Sequence, residues 1–315
     1  MTPSPSFASL ANSWPAFSFA SHPQVLAALH QQYLEYYQLT FDQQSLARSY
    51  HFGQAQAGSF DIAVQVWQPV AKVKGSVFIV HGYWDHVGLY HHLIAECLAA
   101  GFTVVAFDEP GHGLSTGERA AIASFEQYTD ALTAVMAVAN EAPQPWVGIG
   151  QSTGGAVLLR HFFSGEPPLA DTILLAPLVR ASRWYWLVAG HTVLSPVLKK
   201  FPRDMKVCGS HDPAYAEFLR QDSLQYGYAS SLWVGAMRQW VREFMAFSPK
   251  KGKMLYIQGD QDGTVDWRFN LAAVQARVPE LTISLLEGAY HNLVNEAESF
   301  RQQALTALRQ RLNAM

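Results

Sequence analysis

The chain has 315 residues, of which 49% are apolar, 15% charged and 13% aromatic. That is ample material for a large buried core, and it excludes a disordered, fibrous or staple-dependent fold. The formal net charge of -3 gives no global basic field of the kind nucleic-acid binders carry, and no apolar run reaches the ~18–20 residues of a membrane span.

The N-terminus, MTPSPSFASLANSWPAF, has no basic n-region, continuous apolar stretch or A-x-A site. No secretory signal is read, and a cytoplasmic protein is expected. Residues 1–45 are Ser/Pro/Ala-rich and then aromatic at Tyr33, Tyr36 and Tyr37. They are expected to form an arm on the domain, with one helix. Phe60, Ile62, Val64 and Val66 then alternate, which is the period of a half-buried strand. SVFIV (76–80) and FTVVAF (102–107) are apolar and rich in β-branched residues, and 147–149, 172–175, 254–257 and 281–286 follow suit. Short runs buried on both faces are what parallel strands look like. Helical patterns lie between them. One spans 89–100 and stops before Gly101; another follows a capping box of Ser124 and Gln127 over 125–140. Asn295 and Glu298 suggest a similar start for a last helix, with Phe300, Ala304, Leu308 and Leu312 on one face. The alternation predicts an α/β fold, an open and mostly parallel sheet with helices on both faces.

Residues 178–250 break the pattern. They hold no convincing β run, many large aromatics, and ten Lys or Arg against five acids. We read them as a mostly helical cap inserted into a core made of 46–177 and 251–315. No internal repeat is evident.

Trp146 to Gly155 reads WVGIGQSTGG, with a strand before Gly150-Gln151-Ser152-Thr153-Gly154 and a helical stretch after it. A G-x-S-x-G between strand and helix is a nucleophile elbow. The turn is too sharp for a Cβ at its flanks, and the helix start aims N–H groups at developing negative charge. A serine needs a base and an acid to orient that base. Of the 12 histidines, only His291 lies beyond the last predicted strand, in a loop before the final helix. Loops at the carboxyl ends of parallel strands are where such sheets place chemistry. The acid should follow the preceding strand, where Asp260, Asp262 and Asp266 compete. Asp262 precedes a glycine in a tight turn. Asp260 is suited to bonding the turn's amides and Asp266 to capping the next helix, so the three stay open with Asp262 modestly favoured. Two convergent N–H donors for an oxyanion are expected from Thr153 and Tyr83.

With these residues in place, the chain resembles the monoacylglycerol lipase/lysophospholipase group of α/β-hydrolases. The resemblance runs over 58–177 and from 250 to the end. Its pieces are His81-Gly82-Tyr83 with Asp85-His86 and Tyr90; Asp108, Pro110-Gly111-His112-Gly113 and Ser115, with Gly117 and Arg119; Gly150 to Gly155; Gly259, Asp262, Val265 and Asp266; and His291 with Asn295-Glu296. It implies a Ser152–Asp262–His291 triad with oxyanion amides from Tyr83 and Thr153, and a serine hydrolase acting on single-chain lipid esters. Gln151 and Thr153 depart from the group's usual His and Met around the nucleophile, and Trp84 is bulkier than usual. A short-chain or aryl carboxylesterase, a thioesterase, or a non-catalytic ligand-binding relative are the alternatives.

No cofactor or metal is expected. His91 and His92, adjacent on a helix, should point apart, and there is no HExxH pattern. His81 and His86 are expected to bond loop backbone, and His112 to be structural. Trp84, Trp184, Trp186 and Trp233 are candidates for an acyl pocket. The expected partner is a small-molecule ester with an apolar acyl chain, not nucleic acid. The cap's excess of +5 is compatible with transient contact at a membrane surface. Cys97 and Cys208, with no metal spacing, are expected to be free thiols.

Overall fold

The computed structural model of the chain describes residues 6–19, 27–164, 167–203 and 209–315. After helix α1 (Ala28–Tyr36) come strands β1 (Ala47–Ala57), β2 (Phe60–Pro69) and β3 (Gly75–Val80). Helix α2 (His91–Ala99), β4 (Phe102–Phe107), α3 (Phe125–Val138), β5 (Trp146–Gln151), α4 (Thr153–Ser164) and β6 (Asp171–Leu175) follow. Next are α5 (Trp184–Leu194), β7 (Lys200–Pro202), α6 (Pro213–Gln221), β8 (Tyr228–Ser230) and α7 (Ser231–Ala246). The chain closes with β9 (Met254–Gly259), α8 (Trp267–Gln275), β10 (Leu281–Leu286) and α9 (Glu298–Asn313).

Eight strands form one sheet in the order β1-β2-β4-β3-β5-β6-β9-β10. From β4 to β10 all pairings are parallel, and β1–β2 and β2–β4 are antiparallel. An antiparallel edge on a parallel sheet is a common compromise, and the buried parallel strands explain the unbroken apolar runs. Alternate side chains feed two cores. Val77 and Ile79 of β3 face one, with Leu93, Leu98, Leu308 and Leu312 of α2 and α9. Phe78 and Val80 face the other, with Leu132 of α3, Leu158 of α4 and Val274 of α8.

Three local readings change. β1 escapes the sequence pattern because its buried positions are Ala47, Gly53, Ala55 and Ala57, small residues with no apolar alternation. β7 and β8 form a two-stranded antiparallel ribbon in the segment expected to be without strands; three-residue strands are too short to show a period. Asn295 does not cap α9. That helix starts after Ala297 without a side-chain cap, and Asn295 Nδ2 donates to the Leu89 carbonyl at 3.0 Å instead. The Ser124–Gln127 capping box is present. The N-terminal segment packs Phe7, Leu10, Trp14 and Tyr33 into the first core. Cys97 is a buried free thiol, and Cys208 lies outside the described residues.

Candidate active site

Loops from the carboxyl ends of four parallel strands meet over the sheet. Gly82 to Trp84 follow β3, Ser152 follows β5, Asp262 follows β9 and His291 follows β10. Ser152 has φ 53°, a left-handed backbone that an ordinary residue adopts only when its surroundings force it. The surroundings here are close: a Cβ on Gly154 would stand 2.0 Å from the Val80 carbonyl oxygen, and one on Gly150 2.5 Å from the Gly154 backbone. Only glycines let β5 turn this sharply into α4.

His291 Nδ1 lies 2.7 Å from Asp262 Oδ2, with both side chains almost completely buried. Of the three competing aspartates, Asp262 is the one that meets the imidazole. Gln258 Nε2 donates to the same oxygen at 3.0 Å, and the Thr264 and Val265 N–H groups donate to Oδ1 at 2.8 and 3.1 Å. Burial pushes the Asp262 carboxyl up, but the His291 imidazole and these donors outweigh it and hold it below the usual carboxylate range. Asp260 accepts from the Gly288 N–H at 2.8 Å. Asp266 caps α8 through the Phe269 N–H and pairs with Arg180 at 2.6 Å. The other two aspartates thus build the turn and the helix start.

Ser152 and His291 line one cavity of about 220 Å³, together with Gly82, Tyr83, Trp84 and Thr153. Leu187, Trp233, Val234 and Met237 from α5 and α7 form its apolar wall. A larger cavity of about 300 Å³ between α1, α6 and α9 reaches none of these groups. The loop after β3 is held from several sides. His81 Nε2 accepts from the Glu109 N–H at 2.8 Å, so its Nδ1–H donates to the Gly82 carbonyl, also at 2.8 Å. Burial, and then His112, push this imidazole well below its usual value, consistent with a neutral ring. The Gly82 N–H donates to Tyr90 Oη, which donates to Asp85. Tyr83 stacks on Trp233 with centroids 3.8 Å apart, and its hydroxyl donates to the Ala120 carbonyl. Thr153 is the first residue of α4, so its N–H points from a helix start.

Trp84 and Trp233 therefore stand at the cavity. Trp184 and Trp186 do not: Trp184 packs against the second core, and Trp186 is 81% exposed. Helix α5 has no buried residue, which composition alone did not reveal. His86 departs from expectation too. It bonds no loop backbone but meets Asp222 at 2.8 Å, and Asp222 also accepts from Tyr37 Oη at 2.5 Å. Sequence gave no means of pairing residues so far apart. His91 and His92 do not point apart; their rings lie 3.8 Å from each other at the start of α2, where the side chains lean together. Among the described residues no group of three or more potential metal ligands occurs. His112 bonds the Pro110 carbonyl of its own turn. The sequence reading missed Gln258, which orients Asp262, and Gln151, whose Nε2 donates to the His291 carbonyl at 2.9 Å. Each is a polar residue at or next to the carboxyl end of an apolar strand, and that was the available signal.

A family model described as serine aminopeptidase, S33, matches residues 71–298. The chain is 28% identical over 261 residues to a monoacylglycerol lipase of Mycolicibacterium smegmatis, covering 78% of this chain and 90% of that protein. It is 27% identical over 241 residues to the monoglyceride lipase of Homo sapiens, covering 73% and 79%. Its fold is similar to that of the Paleococcus ferrophilus monoacylglycerol lipase, with a TM-score of 0.70 at 22% identity over 80% of this chain and 98% of that one.

Proposed function

The chain belongs to the serine aminopeptidase, S33 family of α/β-hydrolases, and from that footing we propose that it is a serine hydrolase cleaving single-chain lipid esters of the monoacylglycerol type. The observation that carries this reading is the buried Asp262–His291 pair opening on the same apolar-walled cavity as the left-handed Ser152.

In this reading Ser152 Oγ attacks the acyl carbon while His291 Nε2 takes its proton. Asp262 accepts the Nδ1–H, which keeps Nε2 free to act as base and stabilises the imidazolium that forms. The Tyr83 and Thr153 N–H groups receive the oxyanion, the latter aided by the α4 dipole. Collapse expels the alcohol, which takes the proton back from His291. Water then attacks the acyl-enzyme by the same route and releases the acid. The cavity of about 220 Å³ lies below the ~300–1,000 Å³ common for small-molecule sites, which favours one acyl chain over a triacylglycerol. The relatives named as monoglyceride lipases favour an ester over the amide in the family's description.

A fluorophosphonate should label the wild-type chain and spare Ser152→Ala; absent labelling, or labelling that persists in the variant, sinks the proposal. Monoacylglycerols of medium chain should be turned over faster than acetate esters. A p-nitrophenyl ester series peaking at two carbons would favour a small-ester esterase instead.

We assign residues 178–250 the role of a cap over this cavity, with a lipid-facing side. Among the described residues no helix is long and apolar enough to cross a membrane. Tyr185, Trp186, Val193 and Val197 are all largely exposed, and Lys199 and Lys200, two and three residues beyond Val197 in the chain, are exposed too. Aromatic and apolar side chains beside cations suit a membrane interface. Anionic vesicles should sediment the wild type, and Trp186→Ser should weaken that. Equal sedimentation of both would remove the lipid-facing role.

A further inference from the structure

Both peptide N–H groups flanking His291 are tied down. The Tyr290 N–H donates to Glu296 Oε1 at 2.8 Å, and the Asn292 N–H donates to the Gly209 carbonyl, also at 2.8 Å. Gly209 belongs to the 178–250 segment, and two neighbours of it reach the same loop. Ser210 Oγ donates to the Asn295 carbonyl at 2.8 Å. The His211 N–H donates to Glu296 Oε2 at 2.7 Å, and His211 Nδ1 lies 2.8 Å from Glu296 Oε1. The His211 ring stacks on Tyr290 with centroids 3.6 Å apart and planes at 19°. Residues Gly209 to His211 therefore grip the loop 290–296 at both ends.

Glu296 is the hub of that grip. Its carboxylate is fully buried and also accepts from the Ala297 N–H. Burial works against its charge, but the donors from His211 and Tyr290 outweigh it and hold the carboxyl below its usual range. Gly209 brings the segment against His291 itself. At φ 66°, a Cβ there would stand 3.1 Å from His291 Cβ. A loop held so tightly from a separate part of the fold has little freedom to reorient its histidine alone.

We infer that Glu296 and His211 are positioning residues, and that the imidazole of His291 is aligned for proton transfer only while Gly209–His211 is seated on its loop. The inference rests on His291 being the base. Neither residue lines the cavity, so each acts through His291 and not on substrate. Substrate that engages the cap would in this way also set the base.

The test uses the full chain, fluorophosphonate labelling of Ser152 and steady-state ester kinetics. His211→Ala removes the ring and its N–H but leaves the backbone bond. It should lower kcat and the labelling rate about tenfold or more with KM within about twofold, since small misplacements of reacting groups cost orders of magnitude. His211→Asn can return a side-chain N–H toward Glu296 Oε1 and should recover most of the loss. Glu296→Gln sets an amide N–H against the N–H donors of Tyr290 and His211 and should lose more than His211→Ala. If Glu296→Gln does not fold, the two His211 variants decide. Variants that melt earlier but keep wild-type kcat and labelling rate would overturn the inference, as would an Asn variant no better than Ala. A wild-type chain that never labels refutes the hydrolase reading, and this inference with it.

Discussion

Replacing Asp262 by asparagine should leave the fold standing and stop the chemistry. The carboxylate accepts four hydrogen bonds, two at each oxygen. Asparagine can keep its oxygen toward the Thr264 and Val265 N–H groups. Its Nδ2 then faces His291 Nδ1–H and Gln258 Nε2, two donors against a donor. An amide flip of Gln258 would turn its unpartnered Oε1 toward the new N–H, but only by giving up the bond its Nε2 donates to the Gly259 carbonyl at 2.9 Å. His291 escapes only by moving its proton to Nε2, where it no longer accepts the Ser152 proton. A wrong tautomer of this kind costs roughly 10⁴ in kcat, or about 5.5 kcal/mol of transition-state stabilisation at ~1.36 per decade. The lost charge-assisted bonds are worth about 1.5–3 kcal/mol of stability, partly offset because a buried charge goes too. The assay is kcat/KM on a p-nitrophenyl ester beside a urea midpoint. Asp260→Asn, which can still accept from Gly288, should stay within about twofold, and Asp266→Asn should lose about 1 kcal/mol of stability or less through its Arg180 pair. If Asp260→Asn fell a thousandfold while Asp262→Asn kept a tenth of the activity, the assignment of the acid would be wrong.

The buried His86–Asp222 pair gives a pH signature. Burial lowers the His86 imidazole, but Asp222, with Asp108 and Asp85, more than restores it, so it ends above its ordinary 6.5. Asp222 is likewise held below 3.8 against its own burial, chiefly by His86. The imidazolium's contribution fades as pH rises through its raised value, and the carboxylate's as pH falls through its lowered one. Urea stability of wild type over His86→Gln should therefore be greatest between about pH 4 and 6.5, at about 3–5 kcal/mol; a gap that widens from pH 6.5 to 8 would mean a neutral imidazole. Gly154→Ala meets the Val80 carbonyl, which is backbone and cannot swing away. It should cost at least about 1–3 kcal/mol by overpacking and abolish labelling; a wild-type-like variant would show the elbow to be loose. Val234→Trp narrows the cavity wall and should move the preferred acyl chain to fewer carbons, and an unchanged chain-length profile would place the acyl chain elsewhere.

Much of this was legible in the chain itself because it is local. The apolar runs of β3 to β6 and β9 announce strands buried on both faces, whereas β10, also apolar in sequence, is the edge strand and buries only Leu286. Gly150 and Gly154 around Ser152 announce the turn, since a Cβ there has nowhere to go. Ser124 and Gln127 cap α3 by contacts three residues apart. Where the decisive contact is distant, the pattern goes silent or misleads. Trp184 and Trp186 looked like pocket residues by composition, but in α5 it is Leu187 that reaches the cavity, while Trp184 packs on the second core and Trp186 is exposed. His86 finds Asp222, and the choice among three neighbouring aspartates is made by a histidine in another loop.

The sequence by itself determined strands β2 to β6, β9 and β10 with helices α2, α3, α4 and α9 among them, the strained serine and the last-loop histidine, because each depends on side-chain period or on steric room within a few residues. Only the tertiary structure decided that Asp262 faces His291, that Trp84 and Trp233 wall the cavity, and that Gly209 to His211 lie on the histidine's loop. Those contacts join segments separated by tens of residues or more, and what brings them together is the packing of the whole chain across a shared sheet, which no local spacing encodes.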